Sequence, residues 1–262
     1  MKTLGYQISF NAKRVFLRNF SYLFFTILMP IGFYVLFTKV LISGTTAQEL
    51  VFAKQYLGSM IVYSVLINAM FGLGQIMQND RQHKLLSALS LTPKGTKYYY
   101  ISIGIIMSLV NVLSIILMQL VAKSTWNITL SLGESVSVIV IAVLGTLPIM
   151  GVGVLSSFAK TPQLTSIIAN LTVFPLAIIS GLWWPISMMP NWVQTIGKAT
   201  PTYLTSKMIN LAINNQSLPI HDIMGIVIWT VIILVLILVL IFVLIKLVQK
   251  SGELKNDQGT AV

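Results

Sequence analysis

The chain has no cysteine, and among its 262 residues only six are acidic and two are histidine. Without cysteine there is no disulfide framework, no thiolate nucleophile and no cysteine-ligated metal. The two histidines, His83 and His221, fall on opposite sides of a membrane in the topology reached below, so they cannot share a metal, and no H-E-x-x-H stretch is present. No G-x-S-x-G elbow marks a serine hydrolase. The carboxylates Glu49, Asp80, Glu134, Asp222, Glu253 and Asp257 all lie in loops or at the ends of apolar runs. Ion-coupled carriers place a carboxylate or other polar relay near the bilayer midplane. Its absence from these runs argues against intramembrane catalysis and ion-coupled transport. A G-x-x-x-x-G-K-[ST] phosphate loop is also missing, so the chain has no usual means of holding ATP.

What is abundant is apolar. Hydrophobic residues make up 56% of the chain and charged residues 9%, and mean hydropathy is +0.86, which places it among integral membrane proteins. At about 20 residues per span, six or seven helices fit, with short loops and no room for a separate soluble domain. The formal net charge of +11 would suggest nucleic acid in a soluble protein. Here the cations read as topology signals beside anionic lipid, and no nucleic-acid partner is expected. The opening segment is too long and too polar-striped for a cleaved signal peptide.

Residues 3–20 carry Gln7, Asn11, Arg14 and Arg18 at helical spacing, with Leu4, Ile8, Ala12, Val15 and Phe16 off that stripe. This predicts an interfacial amphipathic helix whose arginines face lipid phosphates. Six spans follow, at about Tyr22 to Ile42 (kinked at Pro30 and Gly32), Phe52 to Met77, Tyr98 to Val121, Ser131 to Phe158, Gln163 to Leu182 and Asp222 to Lys246. Ser131 and Glu134 have capping-box spacing, which accounts for Glu134 without an ion site. With the N-terminus inside, inner segments hold Lys2, Lys13, Arg14, Arg18, Arg81, Lys84, Lys94, Lys97, Lys160, Lys246, Lys250 and Lys255. The outer ones hold Lys39, Lys54, Lys123, Lys198 and Lys207. The imbalance predicts both termini in the cytoplasm.

Two segments between spans carry the remaining signal. In 79–93, Asn79 or Asp80 can cap a short helix, Leu85, Leu86 and Leu89 give it one apolar side, and Pro93 stops it. An ordinary polar loop explains the same spacing equally well. The external stretch 181–218 is broken by Pro185, Pro190 and Pro201, yet holds Trp183, Trp184 and Trp192. Irregular backbone with so many aromatics is tolerated at a membrane only where protein or an aqueous cavity covers it. It predicts a re-entrant cap.

These residues together resemble the membrane subunit of type 2 ABC exporters, over nearly the whole chain. The resemblance rests on an acidic–Arg pair (Asp80, Arg81), a leucine-rich short helix and Pro93 after the second span. Before the last span it rests on Ser180-Gly181, Trp183-Trp184-Pro185, Met189-Pro190-Asn191-Trp192 and Pro201-Thr202-Tyr203. The family often has Glu at Asp80, a further acidic residue at Gln82 and Arg at Asn210, so this chain departs from it there.

The resemblance implies an all-α permease with six transmembrane helices forming one transmembrane domain over 1–262, and no enzyme activity of its own. ATP and Mg would be bound by a separate cytosolic ATPase, coupled through Asp80, Arg81, Leu85, Leu86, Leu89 and Pro93. A second permease subunit would complete the pathway, gated by the first, second and fifth spans. Gly181, Trp183, Trp184, Pro185, Pro190, Trp192, Pro201 and Tyr203 would form the external gate, and membrane lipids would surround Arg14 and Arg18. The expected setting is a bacterial cell membrane, and the expected cargo is amphiphilic: a drug, antimicrobial peptide or lipid. A polysaccharide or teichoic-acid route, a membrane hydrolase or transferase, and a non-transporting immunity or sensor protein are the alternatives.

Overall fold

The computed structural model describes residues 2–18, 20–41, 44–92 and 95–259, with side chains for 4–17, 21–41, 44–92, 95–243 and 246. Every regular element among them is helical. Helix α1 (Lys2–Arg18) leads into α2 (Ser21–Leu41), α3 (Thr46–Gln82), the short α4 (Leu85–Ser90) and α5 (Lys97–Trp126). Then come α6 (Leu132–Gly145), α7 (Leu147–Ser156) and α8 (Pro162–Ile179). The chain closes with α9 (Asn191–Lys198), α10 (Pro201–Ile213) and α11 (Ile220–Gly259). Six stretches among the described residues are long and apolar enough to cross a membrane: α2, α3, α5, α6 with α7, α8, and Ile220–Val243 of α11. The protein is an all-α polytopic membrane protein, as its composition predicts.

Helix α3 is the hub. Its most apolar stretch is 83% buried, against 11% for that of α11, so α3 is enclosed by protein while α11 stands at the rim. It starts on a capping box in which Thr45 and Gln48 satisfy each other's backbone N–H, then contacts α2, α5, α7, α8 and α10. Its 37 residues reach about 55 Å at roughly 1.5 Å per residue, well beyond a hydrocarbon core of about 30 Å. Asp80 and Arg81 stand in the last turn of this long helix.

Close backbone approach builds the hub. A Cβ on Gly153 of α7 would lie 2.1 Å from the Ala69 carbonyl oxygen, so only glycine lets α7 seat against the wide π-helical turn Asn68–Gly74 of α3. In α2, Pro30 has no N–H to offer the Thr26 carbonyl one turn earlier. The helix widens there into a π turn, Phe24–Leu28, and the Ser64 hydroxyl of α3 donates to that carbonyl at 2.8 Å. The expected kink is thus a widened turn held by a neighbour. The Ser131–Glu134 capping box forms, at 3.2 and 2.7 Å. The fourth span is two helices that meet at Thr146, because Pro148 in the first turn of the second has no N–H to offer the Leu144 carbonyl four residues earlier.

Away from their ends the spans are uncharged, as the sequence indicates, but uncharged polar groups meet inside them. The Asn68 amide donates to the Met107 carbonyl at 2.9 Å and to Asn111, the Tyr22 hydroxyl donates to Asn68, and the Ser64 and Ser114 hydroxyls lie 2.6 Å apart. All are buried. In hydrocarbon such groups must be satisfied by protein, so this network pins α2, α3 and α5 together. It is the polar content that the count of charges alone does not show.

Candidate functional site

A cleft of about 790 Å³ opens between α1, α2, α3 and α8. Towards the α4 end of the bundle its wall is polar, with Arg14, Gln75, Gln78, Asn79 and Asp80. Further along α3 it becomes apolar and aromatic, with Phe25, Met29, Tyr63, Phe71 and Phe174. The first, second and fifth spans, which the family resemblance singles out as the gating set, are the three that bound it.

The polar end is organised by Asp80, only 3% exposed. One carboxylate oxygen pairs with the Arg14 guanidinium, and the other accepts the Tyr99 hydroxyl of α5 at 2.5 Å. A buried carboxylate needs such partners because it has lost its water. The stripe on α1 therefore does not face lipid phosphates as expected. Asn11 is fully buried against the Ser102 hydroxyl, Arg14 points inward to Asp80, and Tyr6, Phe10 and Leu17 form the outward face. The side chain of Arg18 lies outside the described residues. Arg81 does not pair with Asp80; its guanidinium stacks on the Phe158 ring, 3.6 Å from the centroid, which holds the last turn of α3 against the end of the fourth span.

The aromatic end is organised by Trp183. After α8, Gly181 adopts φ +73°, and the reversal lets the Leu182 N–H return to the Ala177 carbonyl at 2.9 Å. Trp183 then drops among Phe33, Tyr63 and Phe174, with ring centroids 6.0, 5.6 and 5.7 Å away, and Trp184 meets it edge-on at 5.9 Å. The predicted gate residues do not gather at one point. Trp192 on α9 is 67% exposed, Pro190 is exposed and Pro185 half-buried, and Pro201 and Tyr203 open α10. The partners of Trp183 come from α2, α3 and α8, and nothing in the sequence links positions 33, 63 and 174. The aromatics of the first span divide: Phe33 and Phe37 pack inward, while Phe24 and Phe25 are exposed.

The 79–93 segment is two pieces. Asn79 and Asp80 belong to the last turn of α3 and do not cap the short helix. That helix begins after Lys84, whose φ of +57° makes the corner. Leu85, Leu86 and Leu89 lie on its inner side, half-buried against a core formed by Val15, Met77, Tyr99 and Ile103. The outward side shows Ser87 and Ala88, with Leu91 beyond the helix 88% exposed. Pro93 lies outside the described residues.

The stretch 181–218 holds a single 3-10 turn at Ile186–Met188 and the helices α9 and α10. Helix α10, with 13 residues, is about 20 Å long, too short to cross a bilayer. It wedges between α3, α6 and α11.

Comparison with known proteins agrees with this architecture. The family model described as ABC-2 type transporter matches residues 6–213. A Bacillus subtilis (strain 168) protein named as transport permease YvfS is 31% identical over 203 residues, which cover 78% of this chain and 82% of that relative. The linearmycin resistance permease protein LnrN of the same organism is 28% identical over 108 residues, 41% of this chain and 28% of that protein. No solved structure matches the chain. With the family match running from α1 to the end of α10, through both the cleft and its aromatic end, the chain belongs to the ABC-2 type transporter family and is a transport permease.

Proposed function

We propose that this chain is the membrane subunit of an ATP-driven exporter, and that its cleft carries an amphiphilic cargo out of the inner leaflet of a bacterial cell membrane. The observation that carries the reading is the gradient along the 790 Å³ cleft. A polar head would rest near Arg14, Gln78 and Asp80, while an apolar tail would lie along Met29, Phe71 and Phe174. A second permease subunit closes the open side of the cleft, where Leu164, Ile167 and Leu171 of α8 are exposed. Both termini, α1 and α4 are cytoplasmic. The relative named for linearmycin resistance supports a cargo of the antibiotic kind.

A cytosolic ATPase that binds ATP and Mg docks on the outward side of α4, where Ser87, Ala88 and Leu91 are exposed. The three leucines then act as the inner seat of a lever. Force on α4 passes through them to Val15 of α1, Met77 of α3 and Ile103 of α5, and so to the base of the cleft. Trp183 and its partners cover the far end until the permease opens.

The test is reconstitution of the permease with a cytosolic ABC ATPase that copurifies with it. Amphiphilic antibiotics should stimulate ATP hydrolysis, and the stimulation should fall in Phe174→Ala. Stimulation by lipid-linked glycans alone would transfer the pathway to the polysaccharide class. An ATPase that copurifies with the permease but responds to no cargo would point to a sensor.

A further inference from the structure

A pocket of about 390 Å³ opens where the end of α9, α10 and the first turns of α11 meet. It shares no lining residue with the cleft, and its volume falls within the roughly 300–1,000 Å³ usual for ligand sites. Its lining includes Lys198, Lys207, His221 and Asp222. Asp222 is only 2% exposed, and its two carboxylate oxygens take Lys207 at 2.7 Å and His221 at 3.0 Å. Two lysines against one carboxylate leave one surplus positive charge among the lining residues, counted without His221.

Both lysines keep donors to spare. An ammonium group carries three N–H bonds. Lys207 has Asp222 as its partner, and Lys198, exposed at the end of α9, donates to the Gln194 side chain at 3.4 Å. Beside these cations the wall is apolar, with Leu204, Ile228 and Trp229. The Trp229 indole N–H donates to the Ala199 carbonyl at 2.7 Å, which ties α11 to the end of α9 and fixes the ring. Ile228 is exposed, and Ile232 and Val235, exposed as well, continue its face of α11 at helical spacing. Because α11 stands at the rim of the bundle, that face meets lipid. The pocket thus joins a cationic cluster to a lipid-facing track.

We infer that this pocket holds the headgroup of an anionic phospholipid from the surrounding bilayer, with its phosphate at Lys198 and Lys207 and an acyl chain along Ile228, Ile232 and Val235. Phosphate oxygens accept hydrogen bonds from ammonium groups and balance the surplus charge. A zwitterionic lipid would bring its own cation to a pocket that already carries an excess of positive charge. A soluble anion would gain nothing from the apolar track, whereas a lipid uses both parts. Trp229 suits such a site, since tryptophan favours the headgroup level of a bilayer.

The test uses the purified full chain in lipid vesicles without ATPase or cargo, so it stands apart from the export reading. Because the chain has no native cysteine, Ile232→Cys provides a single thiol for a fluorophore on the track. Its quenching by nitroxide-labelled acyl chains is compared with the quencher on phosphatidylglycerol and then on phosphatidylcholine, at equal mole fraction. Phosphatidylglycerol should be preferred about fivefold, the weight of one lysine near an anionic headgroup. Adding Lys198→Gln at its exposed position removes the surplus charge and should bring the two lipids to parity, and Lys198→Arg should restore the preference. No preference in the parent, or an unchanged preference in Lys198→Gln, would overturn the inference. A preference abolished by inorganic phosphate, at an ionic strength where chloride preserves it, would assign the site to a free anion and overturn the lipid.

Discussion

The ion pair between Arg14 and Asp80 ties α1 to the end of the hub helix, and a double-mutant cycle measures how firmly. The Asp80 side chain is 5% exposed and that of Arg14 21%, so the carboxylate is desolvated while the Arg14 side chain keeps part of its surface open. Removing one partner of a buried pair costs about 3–5 kcal/mol, because the other charge is left behind. With Arg14 partly wet, the lower figure applies to Asp80→Ala. In Arg14→Ala, Asp80 keeps the Tyr99 hydroxyl at 2.5 Å but loses its counter-charge, and a cost of about 3 kcal/mol follows there too. Removing both partners leaves no orphan charge, so the double variant should recover about 2 kcal/mol relative to the sum of the singles. At roughly 2–4 °C per kcal/mol for chains near this length, each single variant should melt about 6–12 °C below the parent. Thermal unfolding in one detergent, followed by tryptophan fluorescence, reads all four proteins. Additive losses with no recovery would refute the pairing, and single variants melting within about 2 °C of the parent would show that the pair contributes little.

Three further outcomes follow from the packing. Leu85→Ala with Leu89→Ala should lower the melting temperature, because these side chains sit on the protein's own core. Leu91→Asp should leave melting unchanged but abolish recovery of the ATPase in a pull-down, and the reverse pattern would place the docking surface on the leucine side. Trp183→Ala removes three ring contacts besides the one to Trp184, each contributing about 0.5–1.5 kcal/mol, and should impair export with membrane insertion intact; undiminished export would take the aromatic cluster out of the pathway. For topology, Thr125→Cys and Asn191→Cys should react with an impermeant thiol reagent on intact cells, whereas Thr96→Cys should stay unlabelled.

Much of the fold was legible in the chain because a bilayer forces each span to satisfy its own backbone. A helix in hydrocarbon must be long, apolar and internally hydrogen-bonded, and all three conditions are local. The six apolar runs and the Ser131–Glu134 capping box could therefore be placed from neighbours along the sequence, and so could the broken stretch between the last two spans. The same locality put Leu85, Leu86 and Leu89 on one side of a short helix.

Which way each side faces was decided elsewhere, by partners distant in sequence. Amphipathic spacing put Arg14 and Asn11 on one stripe but left two destinations for it, lipid phosphate or protein. Asp80, 66 positions away, draws Arg14 inward, since a carboxylate buried at that depth requires a cation. Pro30 announced a distortion, yet its form depended on Ser64 of α3 reaching the freed Thr26 carbonyl. Trp183 was visible as an aromatic out of place, but its meaning came from Phe33, Tyr63 and Phe174, which share only the space at the head of the cleft. Spacing along the chain determined which segments cross the membrane and which residues share a helix face. The tertiary structure alone decided what each face meets, because burial forces distant polar and aromatic groups to find one another.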